Sequence, residues 1–230
     1  MISKYNYLEG LERIDLRLQT NLDSNRIPTI PRFDECGSRG TILCYGTVVS
    51  IQLRPVEDEY KIDESQKLKI IESFFSEACQ IIRSNSSCRD IIVSNLTITA
   101  IYNTALKSEI DDVINDLARI RSLISIIEKK SNITRGLIDI RISACYSSLS
   151  MTVIESSEIS KHFLWSGDAI KTSHKMLDDI DNSSILISKL VWDNLSESNQ
   201  KCFIPHNQLS GMYVGNIVNV VMNNWLDSNE

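Results

Sequence analysis

Residues 40–53, GTILCYGTVVSIQL, run for fourteen positions without a charge. The stretch is rich in isoleucine, valine and threonine, so it reads as an extended strand. A strand with no charge on either face is covered on at least one of them. Such a strand belongs at the centre of a sheet, and the rest of the chain must supply its neighbours and the helices above it. Pro55 and the charged run VEDEY end it.

Residues 66–84 repeat apolar side chains at helical spacing: Leu68, Ile71, Phe74, Phe75, Ala78 and Ile82. A second helix is expected over 109–130, with Ile110, Val113, Ile114, Leu117, Ile120, Ile124 and Ile127 on its buried face. Ser108 and Asp111 resemble a capping box at its start. Between the two lies RDIIVSNLTITAIYN, two short strands joined near Ser94 and Asn95 by a hairpin turn. LIDIRISACYSS alternates, with Ile138, Ile140, Ile142 and Ala144 on one face, and MTVIESS is a further strand.

HFLW, the pair Gly167-Asp168, and then Ala169, Ile170, Met176 and Leu177 read as strand, tight turn and helix, with Lys171 and Lys175 one turn apart. SSILIS is another strand and KLVWDNL a short helix; the tail MYVGNIVNVVMNNWLD is a closing strand or helix. Residues 1–20 form a helix with Tyr7, Leu11, Ile14 and Leu18 on one face, and a loop marked by NRIPTIPRF follows. The order βαββαβ, with a later helix and strands, predicts an α+β ferredoxin-like fold: a mixed sheet with its helices packed on one side. Residues 1–35 are expected to be a helix and linker packed on a domain spanning 36–230.

Composition narrows the function classes. A net charge of −6 over 230 residues argues against nonspecific binding to nucleic acid or an anionic membrane. No apolar run reaches the roughly 20 residues that cross a bilayer, and the charged N-terminus is unlike a signal peptide. The six cysteines, Cys36, Cys44, Cys79, Cys88, Cys145 and Cys202, form no CxxC pair and suit reduced core positions in a cytoplasmic protein. His162, His174 and His206 are too scattered for a zinc site and are not paired with a nucleophile. There is no G-x-S-x-G, P-loop or dinucleotide fingerprint.

The pieces YNYLEGLERI, RDIIVSNLTITAIYNT, KSEI, WSGDAI, ILIS and GNIV…NNWLD, in this order, resemble the class III nucleotide cyclase homology domain. The resemblance extends from about Tyr5 to the C-terminus. It is strongest to the bacterial pyrimidine cyclases of anti-phage signalling (Pycsar), which make cyclic UMP or cyclic CMP. The resemblance implies a dimer with sites at the interface, where two aspartates on adjacent strands hold two divalent metals that activate the ribose 3′-hydroxyl and bind the triphosphate. The first aspartate lies in an F-x-D-I pattern, matched here at Gly46. The second follows a glycine, matched here at Asn95-Leu96. Neither strand contains Asp or Glu, and neither glycine nor leucine offers Mg²⁺ or Mn²⁺ a side-chain oxygen. The family's later V-N-x-A-x-x-R pattern, whose Asn and Arg serve the ribose and the transition state, falls on Lys171 and Lys175. The glycines of its V-G-I-G strand fall on Arg141 and Ser143.

These departures imply a catalytically inactive, cyclase-like protein with no metal or cofactor of its own. It would act as a homodimer, or as a heterodimer with an active cyclase in anti-phage signalling. Lys171, Lys175, Arg141 and Asp168 are its candidate nucleotide or phosphate contacts; for Asp168 the structural alternative is a first-turn acid on the helix dipole, and for the two lysines a solvated helix face. Trp165 and Trp225 are expected in the core or a dimer interface. Two other functions stay open: a nucleotide or cyclic-nucleotide binding module, and an active pyrimidine cyclase that recruits Mg²⁺ or Mn²⁺ through residues such as Asp90, Asp139 or Asp168.

Overall fold

A computed structural model describes residues 6–19, 24–32, 34–36, 40–55, 63–132, 138–156, 159–180 and 184–228. The run 56–60, expected to end the first long strand, lies outside the described residues, as do 1–5 and 20 of the expected N-terminal helix. The charge-free segment is the central strand β2 (Gly40–Pro55). It pairs antiparallel with β4 (Thr97–Tyr102) on one side and with β5 (Ile138–Ser156) on the other. β3 (Cys88–Ser94) lies outside β4. β7 (Ile185–Ser188), β9 (Met212–Gly215) and β8 (Phe203–Pro205) extend the sheet beyond β5, in the order β3-β4-β2-β5-β7-β9-β8. β1 (Ser24–Arg26) adds to the start of β2, and β6 (Ile159–Ser166) folds back on the end of β5.

The helices α2 (Glu64–Ser84) and α3 (Lys107–Lys130) cover one face. Alternate residues of the central strands, Val49, Ile51, Leu53, Ile98, Ala100, Ile140 and Ile142, meet Phe74, Ala78, Ile82, Val113, Leu117 and Ile120 there, all buried. The mixed α+β sheet and the order βαββαβ are as the sequence predicts. α2 opens at Glu64, two residues before the expected stretch, with the Asp63 carboxylate accepting from the Gln66 N–H at 2.8 Å.

Three expectations are corrected. The segments expected as two strands over 138–156 form one strand, whose second half is paired along both edges, with β2 on one and β6 on the other. Ser108 and Asp111 do not cap α3: the helix starts earlier, and Glu109 at the third helical position accepts from the Leu106 N–H at 2.7 Å. Asp111 instead accepts from the Ser196 N–H and from Asn199. Not all helices share one face, since α4 (Asp168–Asp178) lies against the opposite one. The predicted helix forms as α1 (Tyr7–Gln19), with Tyr7, Leu11, Ile14 and Leu18 41–80% exposed. A stripe at this spacing needs a partner surface to cover it, and the described residues of this chain do not provide one. The ambiguous tail contains both elements, β9 followed by α7 (Val220–Ser228), with two short helices, α5 (Lys189–Asp193) and α6 (Glu197–Gln200), before it.

Candidate functional site

The second face of the sheet carries the polar chemistry. Its central floor is Ser50, Ser143 and Thr99, all buried, and α4 lies across them. Ser50 Oγ is 2.9 Å from Ser173 Oγ, the Ser143 hydroxyl donates to the Ser173 carbonyl at 2.7 Å, and Thr99 Oγ1 is 2.8 Å from His174 Nε2. Partial desolvation lowers the His174 imidazole below its ordinary range. Small hydroxyls let the helix approach the strands closely while satisfying its buried polar groups. Ser143, where the resemblance implies a bare backbone, is thus filled from within by the chain's own helix.

At one end of this floor the hairpin turns at Asn95 and Leu96, both in the left-handed region (φ 50° and 57°). That geometry suits a two-residue hairpin, and leucine adopts it at a cost of roughly 1–2 kcal/mol. Leu96 packs against the helix-side core. Its carbonyl accepts from the Leu53 N–H at 3.0 Å, so the β2 residues beside the turn are Gln52, Leu53 and Arg54. The side chains here pair with one another. Arg54 Nε donates to Gln52 Oε1 at 2.8 Å, and Arg54 approaches Asp178 at 3.8 Å. Arg141 Nε donates to Asp139 at 3.3 Å and its Nη1 to the Leu177 carbonyl at 3.1 Å.

Gly46 is elsewhere. It pairs with Ser147, and seven residues of strand separate it from Leu53, about 23 Å at the rise of a β-strand. The two positions matched to the metal aspartates are therefore not brought together, whereas a two-metal site holds its ions about 4 Å apart. Gly46 is buried under Ile30, and a Cβ there would stand 2.6 Å from Ile30 Cδ1 and 2.7 Å from the Tyr102 carbonyl oxygen. The glycine serves close packing of three chain segments.

Asp168 is exposed at the first position of α4 and accepts from the Ser148 hydroxyl at 3.3 Å. Lys171 and Lys175 are exposed on α4 and form no ion pair among the described residues. Asp90 accepts from Trp165 Nε1 at 2.7 Å and from the Ile91 N–H, near the Gly46 end of the sheet, whereas Asp139 sits opposite Arg54 at the other end. Asp90, Asp139 and Asp168 do not converge, and among the described residues no group of three or more His, Cys, Asp or Glu is placed to hold a metal ion. The donor set does not fit Mg²⁺ or Mn²⁺. Trp165 lies in the cover over the second face, and Trp225 lies under the Lys130 ammonium, 5.0 Å away. All six cysteines are free, and only Cys202 is exposed. Among the described residues no helix is long and apolar enough to cross a membrane.

Sequence reading missed two features. One is the closure of the second face by α4; the signal was the run of small hydroxyl residues facing Ser173. The other is the position of the loop residues 27–31, which lie over Gly46; the loop itself is as expected, but its Ile30 has no periodic pattern to mark it as core.

No family model matches this sequence. A uridylate cyclase of Treponema porcinum is 22% identical over 237 residues, covering 99% of this chain and 82% of that protein. Among solved structures, a class III adenylyl cyclase-like ATP-binding protein from Pseudomonas aeruginosa superimposes with a TM-score of 0.69 at 12% identity over 94% of this chain, which spans 48% of that one. The adenylyl cyclase CyaB from P. aeruginosa gives 0.60 at 11% identity over 76% of this chain and 95% of its own. The chain has the class III nucleotide cyclase fold.

Proposed function

We propose that this chain is a pseudo-cyclase: a cyclase-fold subunit without turnover of its own, acting through pairing as a homodimer or with an active nucleotide cyclase in anti-phage cyclic-nucleotide signalling. The donor chemistry at the end of the sheet beside Leu96 carries the reading. Two-metal catalysis needs anionic oxygens facing a shared site. Here the turn offers Asn95 and Leu96, the strand beside it Gln52, Leu53 and Arg54, and the nearby carboxylates Asp139 and Asp178 are each engaged by an arginine. With both carboxylates committed to guanidinium groups, no pair of free carboxylates is left to bridge two metal ions. Exposed Lys171 and Lys175 face away from the chain's own sheet, as contacts to a nucleotide held mainly by a partner would.

The test is incubation of the purified protein with Mn²⁺ and each of ATP, GTP, CTP and UTP, followed by mass spectrometry, with sedimentation of the protein alone and mixed with an intact uridylate cyclase. No cyclic product and a dimeric species are expected. Metal-dependent cyclic UMP or cyclic CMP would overturn the reading. The resemblance to a uridylate cyclase over nearly the whole chain favours that second reading, an active pyrimidine cyclase. A cyclase-like structural neighbour described as ATP-binding favours a third, a non-catalytic nucleotide-binding module, for which calorimetric binding without product is the signature.

A further inference from the structure

On the face that α4 covers at the centre of the sheet, the outer strands are open. There Leu186 on β7, Val214 on β9 and Ile204 on β8 stand in register across three strands. Leu186 is buried with Met176, Leu177 and Ile180, Val214 is half-buried at their edge, and Ile204 is 65% exposed. This apolar row floors an open groove of about 350 Å³, walled by Asp179 and Ile180 at the end of α4 and by the loop 206–208.

The loop is built on the His206 ring. Nδ1 accepts from the Gln208 and Leu209 N–H groups, both at 3.2 Å, and the His206 N–H donates to the Met212 carbonyl at 2.9 Å. A ring nitrogen that accepts holds no proton, so the neutral imidazole carries its proton on Nε2. That N–H has no partner among the described residues, and neither has the Asp179 carboxylate on the helix wall. The groove also has a sign. Asp179 follows α4 directly, where the carbonyls of the last turn leave a partial negative charge. Among the described residues no lysine or arginine lines the groove, and Lys175, one turn before Asp179, is not in its wall. A phosphate would meet the Asp179 charge with no cation to offset it.

We propose that this groove is a binding site for an uncharged, flat nitrogen heterocycle of nucleobase size, taken as a nucleoside rather than a nucleotide. The site is separate from the polar cluster beside Leu96 and from Lys171 and Lys175, and it needs neither turnover nor pairing. The apolar row takes the face of the ring. At its edge an acceptor receives the His206 Nε2–H, and an N–H donates to the Asp179 carboxylate. An apolar floor with a few fixed polar groups is what orients a ligand of this kind.

Titration of the full chain with cytidine, uridine, adenosine and guanosine, followed by methyl NMR and calorimetry, tests this. At least one nucleoside should bind and shift the methyls of Ile204, Val214 and Leu186 together, leaving those of Ile98 and Val113 in place. Its 5′-monophosphate should bind at least about tenfold more weakly at low salt. His206→Asn keeps an acceptor for the loop and removes the Nε2–H. It should weaken nucleoside binding about tenfold, the effect of one hydrogen bond, with an unchanged unfolding midpoint. Should that variant fail to fold, Asp179→Asn at an exposed position decides, because it should remove most of the discrimination against the monophosphate. Three results would each overturn the site: methyls unmoved by all four nucleosides at about 10 mM, tighter binding of the monophosphate, or undiminished binding in His206→Asn. Undiminished discrimination in Asp179→Asn would overturn it as well.

Discussion

The carbonyl oxygen of Tyr102 stands 2.7 Å from the point where residue 46 would carry a Cβ, and that contact fixes residue 46 as glycine. Tyr102 ends β4 and pairs with Thr47, so its backbone cannot move without shifting the ladder between β4 and β2. Gly46→Ala should destabilise the chain by about 1–3 kcal/mol, the usual cost of overpacking a tight site. Gly46→Asp should cost more, because it places a carboxylate against a carbonyl oxygen in a buried position. Urea unfolding measures both. Neither change should confer cyclase activity, since Leu96 lies at the other end of the sheet.

The sheet was legible because its residues obey two periods at once. Ile51, Leu53, Ile140 and Ile142 alternate along strands, while Phe74, Ala78, Val113 and Leu117 recur at helical spacing, and the two sets meet in one core. The N-terminal stripe of Tyr7, Leu11, Ile14 and Leu18 was equally legible as a helix, but periodicity says which side is apolar and not what covers it. The site was less legible. Strand pairing, which decides whether Gly46 or Leu53 stands beside Leu96, depends on a turn with two left-handed residues. Only Asn95 advertises that conformation in the sequence, and Leu96 does not.

Burial raises the Asp116 carboxyl from an ordinary 3.8 to about 6, against the lowering effect of the bonds from Asn85 and Arg119. As pH falls, the folded chain takes up this proton before the unfolded chain does. The group's contribution to stability therefore grows between about pH 6 and pH 4 and is level outside that window. Asp116→Asn removes the charge and keeps the acceptor for Asn85. It should stabilise the protein at pH 7 by about 1–3 kcal/mol and flatten the pH dependence of urea midpoints between 4 and 6.

Lys171 and Lys175 bear on function without bearing on the fold. Both are exposed, so the double Lys→Ala change should leave the unfolding midpoint within about 0.5 kcal/mol of wild type. If they contact phosphate, the same change weakens calorimetric binding of UTP and reduces its salt dependence. Unaltered binding would return both lysines to an ordinary solvated helix face.

Arg141 is the residue whose loss should cost most. Its side chain is 15% exposed and the Asp139 side chain 10%, and one oxygen of Asp139, Oδ1, is buried without a partner among the described residues. The guanidinium also holds the Leu177 carbonyl in the last turn of α4, where the helix dipole favours a cation. Arg141→Met therefore strands a buried carboxylate and loosens the end of α4, and should cost on the order of 3 kcal/mol. The double change Arg141→Met with Asp139→Leu removes the stranded charge and should recover most of that loss, leaving the smaller cost at the helix end. Urea unfolding of the two singles and the double gives the coupling directly. Additive losses would mean that Asp139 finds other partners when Arg141 is gone. A large positive coupling would identify the pair as what fixes α4 over the floor of Ser50, Ser143 and Thr99.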